Sequence, residues 1–170
     1  MRERSNATQA SSSAGGFSVT LPNERQILMT RFFGAPRTLV FEAWTQPQHV
    51  SRWWDPIGTP LQACEIDLRP GGRFRFVNPS SSGGHEFTGV YQEIAPPERL
   101  VMRVDLAVGR SATSTLLFTD QGTCTGFAMT IDCALPEDRD SLLAMRVDEG
   151  TGRTLANLDR LVRSLQGGAA

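Results

Sequence analysis

The sequence predicts an α+β fold: an antiparallel sheet of about six to seven strands, a long C-terminal helix, and two short helices after the first strand. Three observations carry this. From Ile27 onward, stretches of period-two alternation are separated by turn signals at Pro70-Gly71-Gly72, Pro96-Pro97 and Asp120-Gln121-Gly122, which joins successive strands as hairpins. Near the C-terminus Thr151, Leu155, Leu158, Val162 and Leu165 are spaced 4, 3, 4 and 3, the apolar stripe of one amphipathic helix. Between the first two strands, a proline-punctuated stretch adopts a period near 3.6 and ends in the adjacent Trp53 and Trp54.

Taken in order, residues 1–20 read as a disordered tail, because Met1 to Phe17 is rich in Ser, Asn, Gln, Ala and Gly and has no period. One domain follows over 21–166, and 167–170 read as a flexible C-terminus. Ile27 to Phe33 is the first strand, with Arg31 inside it. Pro36 suits a first helical position, since its fixed φ fits a helix and its missing N–H would be unpaired there. Leu39, Val40, Ala43 and Trp44 make one apolar face; Thr45 can cap a second short helix with Pro47 just inside it and Val50, Trp53 and Trp54 along it. Pro56, Gly58 and Pro60 end that helix.

The period then changes to two. Gln62, Cys64, Ile66 and Leu68 share one strand face, and Arg73-Phe74-Arg75-Phe76 alternates guanidinium groups with rings, so the hairpin has an aromatic inner side. Ser80 to Gly84 is a loop tip. Phe87 to Ile94 is a strand in which Gly89 marks a bulge or a close approach. Leu100, Met102, Val104 and Leu106 alternate with Val101, Arg103 and Asp105; Thr113 to Thr119 and Thr123 to Cys133 complete the sheet. The final helix stops at Gly167-Gly168. Gly150 and Gly152 each disfavour a helix interior by about 1 kcal/mol relative to alanine, which predicts a break there or a place where something packs close.

Composition narrows the chemistry. A formal net charge of −1, with both signs mixed throughout, supplies no footprint for nucleic acid or an anionic membrane. No apolar run is long enough for membrane insertion, and no apolar segment follows Arg2 and Arg4 as a secretory signal would require. All 17 basic residues are arginine, so Schiff-base chemistry and a phosphate-loop lysine are excluded. Cys64, Cys124 and Cys133 form no C-x-x-C pair, which fits a reducing, cytoplasmic setting. The chain has no H-E-x-x-H, no G-x-S-x-G and no cysteines at zinc spacing; we expect no metal, no cofactor and no catalytic residue. His49, His85, Glu65, Asp67 and Asp105 are the acid or base groups to weigh, and each reads more simply as a solvated or helix-end side chain. Arg69, Arg73 and Arg75 read as a solvated sheet face.

The run A-P-R-x-x-V-F-E-A-W-T-x-P-x-H-x-x-x-W-W, followed by D-L-R-P-G-G-R-F-R-F and then G-V-Y-Q-E-I-x-P-P-E-R-L-V, resembles the homologue family of the activator of the 90-kDa heat-shock protein ATPase. That family belongs to the START-like, or helix-grip, superfamily, and the resemblance covers roughly Gln26 to Leu165. It implies that the sheet is curved and wraps the C-terminal helix, with a ligand pocket between them. The lining expected for such a pocket is Trp53, Trp54, Phe74, Phe76, Tyr91, Met102, Val104, Leu116, Phe118, Phe127, Met129, Ile131, Leu155 and Leu158, any of which could equally be plain core.

The leading expectation is therefore non-enzymatic binding, transport or sensing of a small hydrophobic molecule, a lipid or an aromatic metabolite. The alternatives are a polyketide cyclase or dehydratase-like enzyme, which needs an inward acid or base near Tyr91, and a chaperone-binding module. The last ranks lowest, because the family's chaperone activator has an extra N-terminal domain for which this chain has no room. Homodimerisation is left open.

Overall fold

The computed structural model describes residues 11–13, 16–79, 85–106 and 109–168. Nine strands form one antiparallel sheet: β1 (Ser11–Ser13), β2 (Phe17–Thr20), β3 (Gln26–Phe33), β4 (Ala63–Ile66), β5 (Arg73–Val77), β6 (Glu86–Ala95), β7 (Arg99–Asp105), β8 (Ser111–Gln121) and β9 (Cys124–Cys133). Their spatial order is β1-β2-β3-β9-β8-β7-β6-β5-β4, so β3 closes against the last strand and β4 is left as an edge. The described helices are α1 (Arg37–Thr45), α2 (Pro47–Trp53), α3 (Pro136–Ala144) and α4 (Val147–Gly167).

The seven strands from β3 to β9 stand where alternation placed them. The count of six to seven is corrected to nine by β1 and β2, which also corrects the tail: the stretch assigned to 1–20 joins the sheet from Ser11, while residues 1–10 lie outside the described ones. The reason is one residue. Phe17 is buried, and its ring lies over Gly152 of α4, where a Cβ would come within 3.0 Å of it. Gly152 is thus the place in the helix where something packs close. The helix runs unbroken through Gly150 and Gly152; the discontinuity falls earlier, at Met145-Arg146, with Arg146 at φ 57. Residues 80–84, expected as a loop tip, lie outside the described residues.

Register fixes which side chains look inward. Ile27, Met29, Arg31 and Phe33 of β3 lie opposite Ile131, Met129, Phe127 and Thr125 of β9, and the same face continues through Leu116 and Phe118 to Leu100, Met102 and Val104. Tyr91, Phe87 and Gly89 carry it across β6 to Phe74 and Phe76, and Cys64 and Ile66 end it on β4. Gly89 is a close approach, since a Cβ there would come 2.5 Å from the Phe74 ring; the bulge in β6 falls instead between Tyr91 and Glu93. Arg73 and Arg75 do point outward, Arg75 between Glu65 and Glu86 and Arg73 toward Asp105.

Helix α4 lays Leu155, Leu158, Leu161 and Val162 on this face, each fully buried aliphatic stabilising by about 1.5–3 kcal/mol. Its position along the sheet is set by polar groups. Asp159 lies 3.8 Å from buried Arg31 and 3.0 Å from Arg163, and Gln166 donates to the Gly34 carbonyl at 2.7 Å. Burial pulls the Arg31 guanidinium below its ordinary pKa, with Asp159 acting the other way, and an arginine so placed stays charged.

Truncating Phe17 tests whether the N-terminal strands belong to the fold. Phe17→Ala should lower the unfolding free energy by about 3 kcal/mol in urea titration, whereas a change below about 0.5 kcal/mol, the usual range for a surface substitution, would return this segment to the status of a tail.

Candidate functional site

The two tryptophans at the end of α2 sit side by side yet have different surroundings. Trp53 is 1% exposed, its indole Nε1 donates to the Ala43 carbonyl at 2.9 Å, and its ring meets Trp44 edge-on at 4.7 Å between centroids. Trp54 is only half buried. It faces the sheet, 4.8 Å from Phe76 and 4.9 Å from Phe87. Phe74 continues the cluster to Tyr91 at 5.3 Å, so five rings from two strands, β5 and β6, and one helix end form a connected aromatic patch.

The turn that delivers these rings is held by Asp55, a residue sequence reasoning passed over. Its side chain is 6% exposed; Oδ2 accepts from the Thr59 N–H and Oδ1 from Asn78 Nδ2, both at 2.9 Å. Asn157 of α4 donates from Nδ2 to the Asp55 carbonyl at 2.8 Å. Three segments distant in sequence, the turn itself, the end of β5 and α4, therefore meet at the Trp-Trp-Asp turn. The available signal was an acidic residue directly before Pro56 in a proline and glycine-rich turn, a context in which an aspartate commonly bonds nearby backbone. Thr45, expected as a cap, instead donates its hydroxyl back to the Phe41 carbonyl, and α2 starts from Gln46.

Every expected lining residue is brought into one cluster. Trp53, Phe74, Phe76, Tyr91, Met102, Val104, Leu116, Phe118, Phe127, Met129, Leu155 and Leu158 are buried, with Trp54 and Ile131 packed against them while partly exposed. Where a hollow is expected, rings of its walls meet one another. Trp44 stacks on Phe127 at 5.5 Å, Phe33 meets Phe127 at 5.6 Å and Phe41 meets Phe118 at 5.5 Å, so rings from α1 and β3 take up the space under the helix. Two depressions lie outside this interior: one of about 420 Å³ at Asn23, Glu24, Arg25 and Pro136, and one of about 360 Å³ between α2 and α4.

Four of the five acid and base groups lie at the surface or on the outer sheet face, and His49 departs from its reading as a solvated or helix-end side chain. Glu65 and Asp67 are outward and paired with Arg75 and Arg69, Asp105 accepts from the Thr88 hydroxyl on the outer face, and His85 is exposed. His49 is half buried with its Nδ1 unpartnered. The inward titratable groups near the ring patch are Tyr91 and Cys64. Burial raises the Tyr91 hydroxyl, with Cys64 adding to the shift, and burial pushes the Cys64 thiol up to about 11. Among the described residues no group of His, Cys, Asp and Glu is arranged to hold a metal ion, and no helix is long and apolar enough to cross a membrane.

A single antiparallel sheet gripping a C-terminal helix, with a tryptophan-bearing helix pair between the first strand of that grip and the next, defines the helix-grip class. Solved structures share it: a Rhodobacter sphaeroides protein at 24% identity, covering 88% of this chain and 99% of that one, with a TM-score of 0.80. A Nitrosomonas europaea protein superposes at TM-score 0.77 with 22% identity, over 86% and 99% of the two chains. The AHSA1-like protein of Aeromonas hydrophila does so at TM-score 0.62 with 22% identity, over 82% and 94%. None of the curated proteins matches the chain. The family described as "Activator of Hsp90 ATPase homolog 1-like protein" matches residues 34–163, and the chain belongs to it.

The raised thiol has a measurable consequence. At pH 8 a thiol with a pKa about 11 holds on the order of 100-fold less thiolate than one near 9, so alkylation of Cys64 by iodoacetamide should be slowed by about that factor and should climb steadily to about pH 11. Peptide mass spectrometry reads this directly; a rate levelling off near pH 9 would show that the thiol is not desolvated.

Proposed function

We propose that this protein is a non-enzymatic binding protein for a small hydrophobic molecule, a lipid or an aromatic metabolite, taken up between α4 and the sheet from the side roofed by Trp54. One observation carries the reading: the cover over the aromatic patch is incomplete. Trp54, Phe87, Cys64 and Ile66 are all half buried there, β4 is a four-residue edge strand, and the loop after the turn leaves Ile57 88% exposed. Apolar side chains with an unsealed rim, backed by aromatic rings, suit an apolar guest that displaces the roof. The three free thiols fit a cytoplasmic setting.

Proton-transfer chemistry is supported less well. Tyr91 and Cys64 are both held in their protonated forms near neutral pH, and the buried carboxylate of Asp55 is taken up by Thr59 and Asn78. A protein-binding reading has an observation of its own. On the outer face Phe32 (60% exposed) and Leu117 (44%) stand on strands either side of β9, opposite Gly126 and Ala128, and the family's name attaches it to a chaperone ATPase.

Nile red should bind the full chain saturably with increased emission, and lipids or aromatic metabolites that compete should displace it. Trp54→Ala and Phe74→Ala should each weaken binding by about tenfold, equivalent to about 1.4 kcal/mol, with circular dichroism confirming that the variants remain folded. No saturable binding across such a panel defeats the carrier reading. Stimulation of the 90-kDa chaperone ATPase, lost in Phe32→Ser, would replace it with the second.

A further inference from the structure

The depression between α2 and α4 has a chemistry that neither the fold nor the proposed interior site requires. It is lined by Arg52 of α2, Gly58 of the following loop, and Asn157, Arg160, Leu161 and Ser164 of α4. Those four α4 residues, at positions i, i+3, i+4 and i+7, form one stripe of the helix. Most arginines of the described chain lie against a carboxylate, among them Arg31, Arg37, Arg69, Arg73, Arg75, Arg99, Arg103, Arg110, Arg139, Arg146 and Arg163. Arg25, Arg52, Arg153 and Arg160 have no such partner among the described residues, and two of these four, Arg52 and Arg160, line this one groove.

The groove is also built rather than incidental. Asn157 is 9% exposed, and its amide is locked: Nδ2 donates to the Asp55 carbonyl, and Oδ1 accepts from Arg160 Nη2. One face of the Arg160 guanidinium is thereby oriented by a side chain that cannot turn, leaving its remaining N–H groups for a ligand. Two carboxylates on the adjoining segments are engaged elsewhere, buried Asp55 with Thr59 and Asn78 and half-buried Asp159 with Arg31 and Arg163. Two like charges thus face one concave space with no compensating anion, an arrangement that a bound oxyanion stabilises through charge-assisted, bidentate bonds. Its volume of about 360 Å³ lies toward the small end of ligand sites, which run from about 300 to 1,000 Å³. Buried Leu161 supplies an apolar surface for the rest of such a molecule.

We propose that this groove binds the carboxylate or phosphate group of a small molecule, with Arg52 and Arg160 as the two cationic contacts and Asn157 as the residue that positions Arg160. The site is independent of whether the interior takes a hydrophobic guest. It is tested on the full chain by heteronuclear NMR, titrating sodium phosphate or sodium acetate at ionic strength held constant with sodium chloride. The expected result is saturable shifts of the Gly58, Arg160 and Leu161 amides, weakened at least tenfold in Arg52→Gln and in Arg160→Gln and absent in the double variant. Both arginines are exposed, so the variants should keep the dispersed spectrum of the folded protein. Saturation with phosphate alone, with acetate alone or with both supports the site and tells which oxyanion it takes. Linear shifts, or saturation unchanged in the double variant, overturn it.

Discussion

The Trp-Trp-Asp turn is the constraint on which the arrangement of helices over the sheet depends. Trp53 is tied to α1 through the Ala43 carbonyl, and the backbone of Asp55 is tied to α4 through Asn157. The Asp55 carboxylate reaches the end of β5 through Asn78 and its own loop through Thr59. Each bond is modest alone, and those to a charged oxygen contribute about 1.5–3 kcal/mol. Their joint effect is geometric: the two short helices, the long helix and the far half of the sheet share one reference point, and every ring delivered to the interior is placed relative to it.

That reference point explains how the rings of the interior come to meet. A long helix lying along a curved sheet leaves a gap beside it, and the gap is closed from above by Trp44 and Trp53 and from the sheet by Phe33, Phe118 and Phe127. Edge-to-face contact dominates, with centroids 4.7 to 6.5 Å apart, which is the spacing aromatic pairs prefer. The patch around Trp54 is built of the same residue types, but Trp54, Phe87, Cys64 and Ile66 there stay half buried. The difference between sealed core and half-open rim lies in what covers the rings, since their composition is alike on both sides of the turn.

Much of the fold was legible in the sequence because alternation and helical spacing are local signals. The inward set on β5 to β9, the stripe of α4 and the position of the Trp-bearing helices all follow from residues read within a window of about ten. What escaped was long-range. Phe17 lies in a stretch without period, and its place in the core is set by Gly152, far along the chain. Asp55 looked like a turn residue, and its partners Asn78 and Asn157 share no pattern with it. Arg31 could be seen inside a strand but not its pairing with Asp159 across the helix interface. The same holds for the site: the lining residues were identifiable as aromatic and inward, whereas whether they enclose a space or fill it depends on how side chains from α1 and β3 interlock, which no single segment records.

The anchoring also limits how the interior can open. With Trp53 and Asp55 bonded on both sides, a movement of α2 as a body would break the contacts to Ala43, Asn157 and Asn78 together. Displacement of α4 would further part Asp159 from Arg31 and Gln166 from the Gly34 carbonyl, and lift Phe17 from Gly152. Neither is the cheapest route. The Trp54 ring, the loop from Pro56 to Leu61 and the short edge strand β4 carry few of these bonds, although Leu61 is tied to the Ser51 carbonyl and Gln62 to that of Val77. Their movement exposes Phe74, Phe76 and Phe87 and leaves the grip of sheet on helix untouched. The fold thus joins an anchored core to one aromatic corner held by fewer side-chain bonds, and Asp55 stands at the boundary between them.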